Sequence, residues 1–223
     1  MKIIIASLLL VGAACSALGV NRGDLDYRVR KLTWKLEDLQ AKPDKRIPQE
    51  LLRQAQGVIL LDRTKAGFIF AYEGGSGVAM VRDPQSRQWS APVFVKANEA
   101  SLGFQVGGQQ SFIVILLMNT NAAQLLMQPN FRFGGEAGGT AGNASGGVEG
   151  SIASTEPLVV VYTDREGLFG GAALKGGTLA PDTEADITYY NRYLSAQEIL
   201  FEHKAQPTAI ANELIQKMEQ FSR

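Results

Sequence analysis

Residues 57–82 read GVILLDRTKAGFIFAYEGGSGVAMVR, and the reading of this stretch decides the fold class. Three short apolar runs, Val58–Leu61, Gly67–Tyr72 and Gly77–Arg82, have the length of strands rather than helices. Gly74-Gly75-Ser76 falls between the second and third, where a hairpin turn is expected. Moving outward, Asp83-Pro84 starts a further turn. Trp89–Val95, Gly103–Val106, Ser111–Met118, Leu158–Tyr162 and Gly167–Leu174 repeat the pattern, with a short helix predicted over Thr120–Gln128. Strands this close together leave little room for crossover helices, so the sheet is predicted to be antiparallel.

Glycine supports that division. Of 24 glycines, 21 lie between Gly57 and Gly177, and glycine is costly inside helices. The flanks have the other period. Leu25, Val29, Leu32, Leu36 and Leu39 alternate steps of four and three, giving an apolar stripe on a helix from about Asp24 to Gln40 that Pro43 ends. A short helix is expected over Pro48–Gln54. Ser195-Ala196-Gln197-Glu198 has a capping-box pattern. Ile210, Leu214, Met218 and Phe221 make a last stripe, with Pro207 placed in its first turn. The expected fold is α+β: a curled antiparallel β-sheet or partial barrel flanked by N- and C-terminal helical segments, residues 24–55 and 182–221, in a single domain over 20–223.

The first 19 residues read as a signal peptide. Lys2 precedes an apolar run from Ile3 to Cys15, broken only by Ser7 and too short to span a membrane. Small residues follow, and cleavage after Ala17 or Gly19 would remove Cys15. The competing reading makes Val11-Gly12-Ala13-Ala14-Cys15 a lipobox, so that Cys15 carries a lipid anchor. Either way the chain is expected to be exported, to the periplasm or cell envelope.

Composition narrows the chemistry. The 223 residues carry 22 basic and 22 acidic side chains, one Cys and one His. One Cys and one His cannot build a structural zinc site, and a neutral chain is a poor nucleic-acid binder. Gly134–Gly150 lacks the Gly-Lys-Ser/Thr ending of a phosphate loop. His203 has no nucleophile elbow to accompany it. Asp182, Glu184 and Asp186 alternate as metal ligands can, but lack the rest of a calcium loop, and Asp182 reads better as a helix N-cap. No cofactor, metal or catalytic residue is expected. Glu73, Glu99 and Glu136, near glycine-rich turns, are the weak grounds for an enzyme.

The first helix offers a better lead. At 100° per residue Trp34 lies about 180° from Leu25, Tyr27 about 200° and Arg30 about 140°. Lys31 and Lys35 flank them. Aromatic rings among cations suit a membrane interface with anionic lipid. The alternative packs Trp34 beneath another part of the domain, since large aromatics are mostly buried. Charge is also segregated: residues 22–53 carry 9 basic and 6 acidic side chains, residues 182–223 carry 4 and 7. The two ends are therefore able to pair.

An ordered series of motifs carries a family resemblance. Lys65-Ala66-Gly67-Phe68, Gly74-Gly75-Ser76-Gly77-Val78, Trp89-Ser90-Ala91-Pro92-Val93-Phe94 and Ser101-Leu102-Gly103-Phe104 are followed by Gly167-Leu168-Phe169-Gly170-Gly171 and Tyr189-Tyr190. The series, over about Asp24 to Phe201, resembles the SYLF domain, a lipid-binding family also described as actin-binding in fungal endocytic proteins. The resemblance implies a non-enzymatic membrane-binding domain. It matches Lys65 to the family's Lys-Ala-Gly-Phe lysine and retains Arg165, so the expected lipid-binding set is Tyr27, Arg30, Lys31, Trp34, Lys35, Lys65 and Arg165. Bacterial members are typically exported envelope proteins. Eukaryotic members prefer phosphoinositides, but Asp164 and Glu166 flank Arg165 here, and Asp186 stands where the family often has Asn. The expected partner is therefore an anionic phospholipid membrane. The alternative is an envelope protein-interaction or structural module, with a protein partner or self-association through the leucine stripe.

Overall fold

The computed structural model describes residues 20–67, 71–101, 107–129, 131–133, 158–164, 167–169 and 177–223. Among the described residues eight strands form one sheet: β1 (Gly57–Gly67), β2 (Ala71–Val81), β3 (Val93–Ser101), β4 (Gly107–Leu117), β5 (Phe131–Phe133), β6 (Val159–Thr163), β7 (Gly167–Phe169) and β8 (Gly177–Pro181). Their order is β5-β8-β3-β2-β1-β4-β6-β7. Every pairing is antiparallel. The sheet is open rather than a closed barrel. Six helices among the described residues accompany it: α1 (Arg22–Gln40), α2 (Gln49–Gln54), α3 (Thr120–Gln124, continued by a 3-10 turn to Met127), α4 (Thr183–Tyr190), α5 (Ala196–Leu200) and α6 (Ala209–Phe221).

The run Val58-Ile59-Leu60-Leu61 is apolar throughout because β1 is central and covered on both faces. Val58 and Leu60 join a core with the leucine stripe of α1, Leu52 of α2, Tyr189 of α4 and Leu214 and Met218 of α6. Ile59 and Leu61 join a second core with Ala122 and Ala123 of α3, Leu126 and, from α5, Ile199 and Leu200. Helices α1, α2, α4 and α6 thus cover one face, while α3 and α5 cover the other.

Three local expectations are corrected. Gly74-Gly75-Ser76 is no hairpin turn: it lies within β2, opposite Thr64, Arg63 and Asp62. Gly75 answers crowding by neighbouring backbone, since a Cβ on it would stand 3.1 Å from the Asp62 carbonyl oxygen. The strand expected at Trp89 begins only at Val93, after Pro92, which has no N–H for a ladder. Trp89 instead closes the preceding turn through a bridge to Arg82. Pro207 precedes the N-cap Thr208 rather than sitting inside α6. Gly103–Val106 and Gly134–Gly150 lie outside the described residues.

Candidate functional site

The first helix begins two residues before Asp24 because Asn21 and Asp24 form a capping box. The Asp24 N–H donates to Asn21 Oδ1 at 3.0 Å, and the Asn21 N–H donates to Asp24 Oδ2 at 3.3 Å. Leu25, Val29, Leu32, Leu36 and Leu39 are wholly buried. That orientation is set by packing against α6, α4 and the sheet. It turns Tyr27 and Trp34 outward, 67% and 63% exposed. Seven residues apart, they stand about 10 Å from one another along the helix axis. Arg30 lies exposed between them and makes no ion pair among the described residues. The packed alternative for Trp34 is therefore not the one adopted.

Lys31 and Lys35, expected to flank the aromatic face near headgroups, are both paired within the fold. Asp62 on β1 continues the row of Val58 and Leu60 that faces α1. Lys31 Nζ stands 2.7 Å from Asp62 Oδ2, and Lys35 Nζ stands 2.7 Å from Asp62 Oδ1. Burial would raise the Asp62 carboxyl, but hydrogen bonds from both lysines outweigh it and hold it below the ordinary carboxylate range. The Lys35 side chain is only 14% exposed and the Lys31 side chain 35%. Lys35 thus serves mainly to fasten α1 to the sheet, and Lys31 sits at the flank of the exposed face.

Other cations of α1 are also occupied. Arg22 lies 3.7 Å from Asp26 and 4.6 Å from the centre of the Tyr189 ring. Arg28 is 3.8 Å from Asp182, a contact between the basic front and the acidic C-terminal segment. Lys217 and Glu37 pair with the opposite polarity, so segregation of charge explains only part of the docking. The structure brings Tyr27, Arg30, Lys31 and Trp34 onto one outward face. Lys65 is placed in β1, in register with Glu73 and Gln109. Arg165 lies outside the described residues. The Asn21 cap and the anchoring role of Asp62 were missed from sequence; the Asn-x-x-Asp spacing signalled the first, and nothing local signalled the second.

Asp182 and Asp186 have structural roles. Asp182 caps α4 by accepting from the Ala185 N–H. Asp186 is buried and accepts from the Phe94 N–H at 2.9 Å. Among the described residues no group of three or more His, Cys, Asp or Glu side chains is placed to hold a metal. His203 is exposed and lies 3.6 Å from Asp83. Glu73 and Glu99 stand in β2 and β3, opposite one another rather than in turns, and Glu136 lies outside the described residues. Among the described residues no helix is long and apolar enough to cross a membrane.

The fold is thus a helix-covered antiparallel sheet that displays an aromatic and cationic helix face. The chain belongs to the Ysc84, or SYLF, family, described as Las17-binding protein actin regulator, which it matches over residues 98–221. It is 33% identical to SH3 domain-containing YSC84-like protein 1 of Xenopus laevis over 183 residues, 81% of this chain and 54% of that protein. The human protein of the same name is 31% identical over 182 residues, 81% of this chain and 53% of its own length. LAS seventeen-binding protein 3 of Saccharomyces cerevisiae is 28% identical over 175 residues, 75% of this chain and 37% of its own length. The chain spans about half the length of the vertebrate relatives it matches. No solved structure matches it.

Proposed function

We propose that the chain is a non-enzymatic peripheral binding module of the cell envelope, seated on anionic phospholipid through the outer face of α1. The exposure of Tyr27 and Trp34 on a helix whose opposite face is wholly buried carries the reading. Aromatic rings favour headgroup depth, and Arg30 with Lys31 supplies the attraction to anionic lipid. The apolar run behind Lys2 supports export, with Cys15 as a lipid anchor in the competing version. Tyr27→Ser with Trp34→Ser is expected to lower co-sedimentation with phosphatidylglycerol vesicles by about tenfold or more. Stability should change by less than about 0.5 kcal/mol in a urea melt, because both side chains are exposed. Binding should also fall as salt rises. Undiminished binding by the variant, or equal binding to neutral and anionic vesicles, overturns this reading.

Asp62 supplies a second test. Asp62→Asn removes the counter-charge of Lys31 and Lys35 while keeping an acceptor. It is expected to cost roughly 1–2 kcal/mol of stability in a urea melt, for a pair only partly shielded from solvent. At the same time it frees two cations, each worth about 1 kcal/mol near an anionic surface. Vesicle binding should therefore rise as stability falls, and only for anionic vesicles, since apolar surface exposed by unfolding would bind neutral vesicles as well. A protein-binding reading draws support from the family description. It predicts a specific oligomer or partner complex by light scattering with no vesicle binding.

A further inference from the structure

A groove of about 870 Å³ opens between the end of α1, the α2 segment and the end of α6. It contains none of the residues assigned above to the membrane face. Arg46, Arg53 and Arg223 line it, with Gln49 and Gln220 beside them and Phe221 on its apolar wall. The one acidic side chain among its described lining residues, Glu50, is bonded to Arg53 and Gln54. Arg46 and Arg223 are exposed and make no ion pair among the described residues.

Two more arginines stand behind this groove. Arg82 Nη1 and Arg87 Nη2 each donate to the Arg53 carbonyl at 2.7 Å, and Arg82 Nη2 donates to Ser222 Oγ at 2.8 Å. Arg82 is only 7% exposed, stacks 4.4 Å over the Trp89 ring, and leaves its Nε without a hydrogen-bond partner. Burial first, and the charge of Arg87 second, push its guanidinium down to about 10, against a smaller opposing pull from Glu219. Among the described residues, five arginines thus gather at this end of the molecule, with Glu50, Asp83 and Glu219 as the acidic side chains beside them.

We propose that the groove binds an acidic peptide segment of a partner protein. Guanidinium forks match carboxylates in paired hydrogen bonds. The Gln49 and Gln220 amides both donate and accept, which suits a peptide backbone, whereas a phosphate oxyanion offers acceptors only. The half-buried Phe221 adds an apolar contact, and the volume lies within the range of ligand clefts.

The test is fluorescence polarisation on the whole protein, with a labelled peptide of alternating Glu and Leu and a matched peptide of alternating Gln and Leu. The Glu peptide should bind, and the Gln peptide about tenfold more weakly or worse. Arg46→Glu with Arg223→Glu should lower affinity for the Glu peptide by at least about tenfold with an unchanged melting temperature. Tyr27→Ser with Trp34→Ser should leave peptide binding intact, so that failure of the groove and failure of the membrane face remain distinguishable. Absence of binding, equal binding of the two peptides, or an unaffected Arg46/Arg223 variant overturns the proposal. So does displacement by inorganic phosphate as effective as by unlabelled peptide. Loss of vesicle binding rather than peptide binding in the Arg46/Arg223 variant would assign the groove to lipid instead.

Discussion

Gly77→Ala is expected to destabilise the protein by at least about 3 kcal/mol, and to leave much of it unfolded on expression. A Cβ built on Gly77 would stand 2.1 Å from the Leu60 carbonyl oxygen and 3.0 Å from the Leu60 carbonyl carbon and Leu61 Cα. All three are backbone atoms of the central strand, held in register by Leu60↔Val78 and Leu61↔Gly77. A flexible side chain could yield, but this backbone yields only by opening the β1–β2 ladder. The requirement is spatial. Gly75→Ala meets the Asp62 carbonyl oxygen at the looser 3.1 Å and should cost about 1 kcal/mol. Urea melts of the two variants test the contrast. A Gly77→Ala protein as stable as the parent would mean that β1 and β2 do not meet in this register.

A second large effect should appear as a pH dependence centred on Asp186. Its side chain is wholly enclosed, at 2% exposure for the residue. Burial pushes its carboxyl up to about 7 from an ordinary 3.8, with nearby Asp182 adding to the rise and the Phe94 N–H opposing it. The native state therefore retains a proton that the unfolded chain releases. The resulting stability is fully present below 3.8 and is lost as pH rises through about 7; it amounts to roughly 3–4 kcal/mol. Asp62, Asp83 and Glu198, all held low in the fold, act in the opposite sense, losing stability on acidification. Comparison with Asp186→Asn separates the two. Asn keeps an acceptor for the Phe94 N–H and cannot ionise. The variant should match the parent near pH 4 and exceed it by roughly 3 kcal/mol near pH 8, read from paired urea melts. Parallel profiles would remove the assignment.

Much of the fold was legible because periodicity reports burial. The leucine stripe of α1, the Ser195–Glu198 capping box and the antiparallel sheet were each carried by local spacing. The glycines at 74–77 misled for a physical reason. Glycine marks turns and close backbone approaches alike, and only the pairing of β2 with β1 tells which is present. Trp34 was ambiguous for a similar reason: angle on a helix gives a direction, while the neighbour in that direction comes from the tertiary packing.

The sequence by itself determined which residues of α1 turn toward the core and which turn away, because 3.6-residue geometry ties side-chain direction to spacing. It also determined family membership, since the order of short glycine and aromatic motifs survives without coordinates. Only the tertiary structure decided which cations remain available. Asp62 lies far from Lys31 and Lys35 along the chain, yet meets both at 2.7 Å across the helix–sheet contact. It likewise gathered Arg46, Arg53 and Arg223 around one groove. Charge counted along a chain is local, whereas the field a partner meets is set by folded neighbours within a few ångströms, and those neighbours come from distant segments.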